Sequence, residues 1–179
     1  MPAGGTGLVL RGLRKEPATI GKWHLGWDLT YKEGKAKTVD NIDFTKRVAN
    51  GPTDRGFDYF YGLTSPSGPP HLYMVNDMAE KQPNTRFEES GGGLYKIKGG
   101  IGHSDWSADG MQPHLADKML EYLDENKDSD KPFFLYMALT APHIPLFPSK
   151  EFKGKSKIGD YGDLVMMIDD IVGRVNRKL

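Results

Sequence analysis

Three observations predict an α/β fold, a sheet flanked by helices. Residues 133–139 (FFLYMAL) form an unbroken apolar run of strand length, and continuous hydrophobicity of that kind predicts a strand buried on both faces. Residues 113–126 and 161–179 each carry apolar side chains at helical spacing, with charged residues turned away. Chemistry-bearing residues cluster directly after strand candidates, and ligands of open α/β sheets bind at the C-terminal ends of strands.

The first strand candidate ends at Gly21-Lys22-Trp23-His24-Leu25-Gly26. Side chains at i and i+2 of an extended segment share a face. Lys22 and His24 are therefore expected to point together into one cleft, with Trp23 turned the other way into packing. Gly21 and Gly26 permit tight backbone geometry on either side. A fixed cation beside a titratable imidazole is suited to gripping and protonating an oxyanion.

Residues 27–62 read as mostly polar loop with short strand candidates, closing on Gly56–Gly62, an aromatic strand or edge bounded by glycines. Residues 63–110 are rich in Gly, Pro, Ser and Asn, and loops of that length are expected as functional lids or as disordered segments. His71 and His103 are expected there as solvated loop histidines, and His114, near the start of the first helix, as a surface residue. In that helix Leu115, Met119, Tyr122 and Leu123 form the buried stripe, and Pro113 suits the first turn. Asp124, Asp128 and Asp130 read as solvated.

After the apolar run comes Thr140-Ala141-Pro142-His143-Ile144-Pro145. Two prolines stop helix and ladder alike and restrict the residues before them, so His143 is expected in a stiff loop at a strand's C-terminal end. The last helix presents Leu164, Ile168, Ile171, Val172 and Val175 as its stripe, with Arg174, Arg177 and Lys178 complementing its dipole. Asp169 is expected to make a structural hydrogen bond or ion pair.

The chain has 179 residues and equal acidic and basic counts, so it carries no electrostatic footprint for nucleic acid or an anionic membrane. No run of about 18 apolar residues suggests a membrane span, and the opening lacks the pattern of a signal peptide. There is no cysteine, which excludes disulfides and thiolate metal sites and leaves the compartment open.

Residues 20–26 (IGKWHLG), 55–62 (RGFDYFYG), 131–148 (KPFFLYMALTAPHIPLFP) and 161–175 (YGDLVMMIDDIVGRV) resemble, in order and rough spacing, segments of the sulfatases. These are sulfuric ester hydrolases of the alkaline-phosphatase-like superfamily. The resemblance implies an alkaline-phosphatase-like mixed sheet flanked by helices, here incomplete, with residues 17–179 as a partial catalytic domain. Residues 1–16 then form an atypical segment that can be disordered. Where the family has a Gly-Tyr-x-Thr strand, this chain reads Arg14-Lys15-Glu16-Pro17, implying a truncated or altered beginning; Pro17 could not donate to a central ladder.

The resemblance further implies Lys22 as a sulfate ligand, His24 as a base at the nucleophile's second hydroxyl, and His143 as a sulfate ligand and proton donor near the bridging oxygen. It implies Ca²⁺, whose ligands in the family lie outside this stretch. It also implies a formylglycine nucleophile made in a Cys/Ser-x-Pro/Ala-x-Arg motif, and no such motif is present. The expected partner is a small sulfate ester or a sulfated glycan. A partial chain of this kind is expected to be inactive alone. Two alternatives stand beside that reading: a non-catalytic module that binds sulfate or sulfated glycans, and a phosphohydrolase of the same superfamily.

Overall fold

The computed structural model describes residues 16–179. The expectation for the N-terminal segment therefore falls, apart from Glu16, outside the described residues. Seven strands are described: β1 (Glu16–Lys22), β2 (Tyr59–Leu63), β3 (Met74–Val75), β4 (Met78–Ala79), β5 (Thr85–Phe87), β6 (Gly100–Gly102) and β7 (Phe133–Ala138). Two α-helices accompany them, α1 (Met111–Asn126) and α2 (Asp160–Asn176).

The main sheet runs β4-β3-β2-β1-β7, and β5 pairs with β6 separately. β1 is central, parallel to both β2 and β7, whereas β3 and β4 add an antiparallel hairpin beyond β2. The sheet is thus mixed, as expected. Pro17 nevertheless lies within β1, opposite Phe134, and its carbonyl accepts the Asp58 N–H at 2.7 Å. Its place beside the strand's first residue is where a missing donor disturbs the ladder least.

Alternation along β1 and β2 divides the core. Ala18, Ile20, Tyr61 and Leu63 pack with Leu115, Met119 and Leu123 of α1. Phe60 joins Trp23, Ile42, Phe44 and Val48 in a second cluster, supplied largely by the 23–57 segment. That segment is more structured than its polar composition implies. It is stitched by bridges between Asp28 and Ala49 and between Tyr31 and Ile42, and it buries Trp23, Ile42, Phe44 and Val48 while Leu25 stays exposed.

β7 departs from the expectation of burial on both faces. Phe133, Leu135 and Met137 pack toward the helices, while Phe134 and Tyr136 are 38% and 52% exposed. The helices cover one face of β7, and among the described residues nothing equivalent covers the other. The strand also stands at the sheet's margin.

α1 buries Leu115, Met119, Tyr122 and Leu123, the anticipated stripe, and adds Met111, Gln112 and Ala116. α2 buries Leu164, Met167, Ile171 and Val175, with Asp163 among them, whereas Val172 is exposed. The basic groups near the α2 terminus do more than answer its dipole: Arg174 pairs with Asp117 and Lys178 with Asp124, both at 2.8 Å, tying α2 to α1. The structural aspartate of α2 is Asp163. Asp169 is exposed, and the fully buried Asp163 carboxylate accepts the N–H groups of Gly154 (2.7 Å) and Ser156 (2.6 Å).

Candidate functional site at the strand ends

β1, β2 and β7 converge closely where the site begins. Gly21 lies opposite Gly62 on one side and Ala138 on the other, with φ of +131°. A Cβ on Gly21 would collide with the Ala138 carbonyl, and one on Gly62 with the Gly21 carbonyl. Glycine at both positions is thus required by close backbone approach.

Lys22 is the last residue of β1 and is partly exposed, and Trp23 turns into the second core cluster at 6% exposure. The Trp23 N–H continues the ladder by donating to Leu63 O at 2.9 Å. Beyond it the chain folds into a tight loop held by two indoles. Trp23 Nε1 donates to Gly26 O (3.0 Å) and Trp27 Nε1 to Trp23 O (3.2 Å). His24 stands exposed on this loop.

His143 follows β7, five residues beyond Ala138, on a loop anchored at both ends. At the start, the buried Gln112 side chain meets Thr140 and Ala141. With its amide turned to satisfy both neighbours, Gln112 Oε1 accepts the Ala141 N–H at 2.7 Å and the Thr140 N–H at 3.3 Å, and it also meets the Thr140 hydroxyl. At the far end the Leu146 N–H donates to Leu94 O at 2.8 Å, and Pro145, Leu146 and Pro148 are buried. Between these anchors Pro142, His143 and Ile144 stand in solvent.

The His143 backbone N–H donates to Thr140 O at 3.1 Å. Its Nδ1 lies 2.6 Å from Ile144 O, and because a carbonyl only accepts, Nδ1 carries the proton. In the neutral ring this leaves Nε2 as the acceptor; in the charged ring Nε2–H is a donor.

Lys22, His24 and the His143 loop therefore all leave the same end of the sheet, from adjoining parallel strands. An ammonium offers three donors and each imidazole adds one when protonated, a set suited to an oxyanion. Among the described residues no group of three or more His, Cys, Asp or Glu could hold a metal ion. The divalent cation implied by the resemblance thus finds no fitting ligand set there.

The remaining histidines lie elsewhere. His71 is not solvated: it is 1% exposed, with Nε2 donating to Lys98 O (2.8 Å) and its ring 4.5 Å from that of Trp106. Burial lowers its pKa. His114 is half-buried rather than superficial, its ring 4.3 Å from that of Tyr73, and burial lowers its pKa too. His103 keeps partial exposure near Asn84 and Asp105. Neither Gln112 nor Asp163 was singled out by the sequence reading. The available signal was a polar residue lying within an otherwise apolar helical stripe, which requires a buried partner.

A mixed five-stranded sheet with helices packed on it, which superposes on solved sulfatase structures, has the alkaline-phosphatase-like fold. Residues 9–179 match the Sulfatase family model, and the chain belongs to the sulfatase family. It is 30% identical to an N-acetylgalactosamine-6-sulfatase of Sus scrofa over 93% of this chain and 27% of that protein. It is 26% identical to an N-acetylgalactosamine-6-O-sulfatase of Bacteroides thetaiotaomicron, over 89% of this chain and 36% of that one. A Bacteroides thetaiotaomicron structure described in connection with metabolism of multiple glycosaminoglycans superposes with a TM-score of 0.73 at 20% identity, covering 97% of this chain and 41% of that chain. The chain thus spans between about a quarter and two-fifths of these proteins' lengths.

Proposed function

We propose that this chain supplies the sulfate-gripping part of a sulfuric ester hydrolase that acts on sulfated sugars. The observation that carries the reading is the shared exit of Lys22, His24 and the anchored His143 loop from adjoining parallel strands β1 and β7. In this reading the Lys22 ammonium neutralises peripheral sulfate oxygens. The His143 ring, its Nδ1–H held by Ile144 O, presents Nε2 toward the bridging oxygen and protonates the departing alcohol. His24 serves as the base at a nucleophile's hydroxyl.

The relatives named for N-acetylgalactosamine 6-sulfate chemistry support a 6-sulfated N-acetylgalactosamine unit as the ligand. The Cys/Ser-x-Pro/Ala-x-Arg motif that yields the formylglycine nucleophile is absent from the 179 residues, so this polypeptide binds the ester without turning it over. Calorimetry with N-acetylgalactosamine 6-sulfate tests the binding. Saturable binding weakened about tenfold or more by Lys22→Ala is expected, the loss of one charge-assisted contact. Equal affinity in wild type and variant would refute the grip. Metal-dependent release of an aryl alcohol from an aryl sulfate by the pure chain, abolished by Lys22→Ala, would refute the absence of turnover.

A further inference from the structure

The far end of the His143 loop meets a strap that comes from the segment between β5 and β6. Residues 90–97 close on themselves: the Ser90 N–H donates to Ile97 O at 3.0 Å, and the Ile97 N–H returns to Ser90 O at 2.9 Å. Within this closure Gly93–Tyr95 form a single 3-10 turn, and the Tyr95 N–H donates to Gly92 O at 3.0 Å. At its base Ile97 is buried in the first core cluster, and the Lys98 N–H donates to Ser67 O at 2.9 Å. The strap is thus shaped by its own backbone and rooted in the core.

Two adjacent residues of the strap act on two adjacent residues of the loop. Leu94 O accepts the Leu146 N–H at 2.8 Å, and the Tyr95 ring stands edge-on to Phe147, with 6.1 Å between centroids. Tyr95 also reaches α2. Its hydroxyl donates to the carboxylate of Asp160, the first residue of that helix, which raises the Tyr95 pKa and lowers that of Asp160. Asp160 in turn holds Lys153 at 2.5 Å, and a carboxylate in the first helical turn suits the dipole. The Leu94 side chain is 54% exposed and Lys96 turns to Glu89 at 3.0 Å, so at the tip Tyr95 is the side chain that grips the body.

Leu146 and Phe147 lie three and four residues beyond His143, and Pro142, Pro145 and Pro148 leave the intervening backbone few conformations. A displacement at the exit is therefore passed to His143 rather than absorbed on the way. We propose that Tyr95 is a positioning residue for the anion grip: by holding Phe147 and Asp160 together it sets where the His143 ring stands relative to Lys22, a role that rests on the sulfate reading of the strand ends. Tyr95 itself touches no ligand. Gln112 fixes the entry of the same loop and Tyr95 its exit, so the ring is placed from two elements that are separate in the chain.

The test compares Tyr95→Ala and Tyr95→Phe with the 179-residue wild type, following the imidazole resonances of His24, His71, His114 and His143 before and during addition of inorganic sulfate. In Tyr95→Ala the His143 signal should leave its wild-type position before any sulfate is added, with the other three unmoved. The sulfate dissociation constant should rise about fivefold, the scale of one lost aromatic pair. Tyr95→Phe keeps the ring on Phe147 and should recover most of both changes, with an affinity within about twofold of wild type.

An affinity or a His143 signal left unchanged by Tyr95→Ala overturns the role, and so does a Tyr95→Phe variant that recovers neither. A joint shift of all four histidines in Tyr95→Ala also overturns it, because that marks a residue needed only for folding. A wild-type chain that does not respond to sulfate removes the grip. In that case a His143 signal moved selectively by Tyr95→Ala still upholds the strap's hold on the loop, and an unmoved one removes that too.

Discussion

His24 and His143 stand in solvent on loops that leave the C-terminal ends of β1 and β7, while His71 and His114 are packed among aromatic rings behind the sheet. All four follow or adjoin loop-forming residues in the chain, yet their environments oppose one another. The exposed pair has its backbone fixed by neighbours: indoles hold the His24 loop, and Gln112 and Leu94 hold the His143 loop. In the buried pair it is the ring that is fixed, by stacking and a single hydrogen bond. A stiff backbone with a solvent-exposed ring suits ligand binding and proton transfer. A clamped, desolvated ring is a packing element whose proton uptake opposes folding.

That contrast sets an order of expected effects. His71→Ala removes a fully buried ring that packs against both Trp106 and Phe87 and should cost about 3 kcal/mol in a urea unfolding measurement. A cost near zero would show the ring to be dispensable packing. Gln112→Leu leaves the Ala141 N–H without its acceptor and should cost about 2 kcal/mol. It should also weaken sulfate binding, because it frees the loop that carries His143; unchanged binding would show that the loop holds its shape unaided.

The buried histidines also predict a pH dependence. Burial holds their folded pKa values below the 6.5 of a free imidazole, so the unfolded chain takes up protons more readily. Stability should be fully present above pH 6.5 and decline as pH falls toward the folded-state values. His114→Phe should flatten that decline in thermal melts recorded across the range; an equally steep profile would exclude His114 as a contributor. His143→Ala should have the smallest effect on folding, leaving the urea midpoint unmoved while weakening sulfate binding.

Much of this arrangement was legible in the sequence. The stripe of α1 and the opposed directions of Lys22 and Trp23 follow from periods of 3.6 and 2, which local sequence carries directly. The place of His143 beyond an apolar strand followed from the same reading. Burial of β7 on both faces was misread because hydrophobicity records what a strand tolerates rather than what covers it, and Phe134 and Tyr136 remain open. His71 and His114 were misread for a related cause: their partners Trp106 and Tyr73 are brought in by two- and three-residue strands that leave no periodic trace. Gln112 and Asp163 did leave a trace, as polar positions within apolar stripes.

The most direct measurement follows the imidazole resonances of four of the five histidines, His24, His71, His114 and His143, while inorganic sulfate is added to the whole chain. His24 and His143 should shift together along one saturation curve that Lys22→Ala abolishes, while His71 and His114 stay fixed. Separate curves for His24 and His143, or a common curve indifferent to Lys22, would contradict a shared anion site at the ends of β1 and β7.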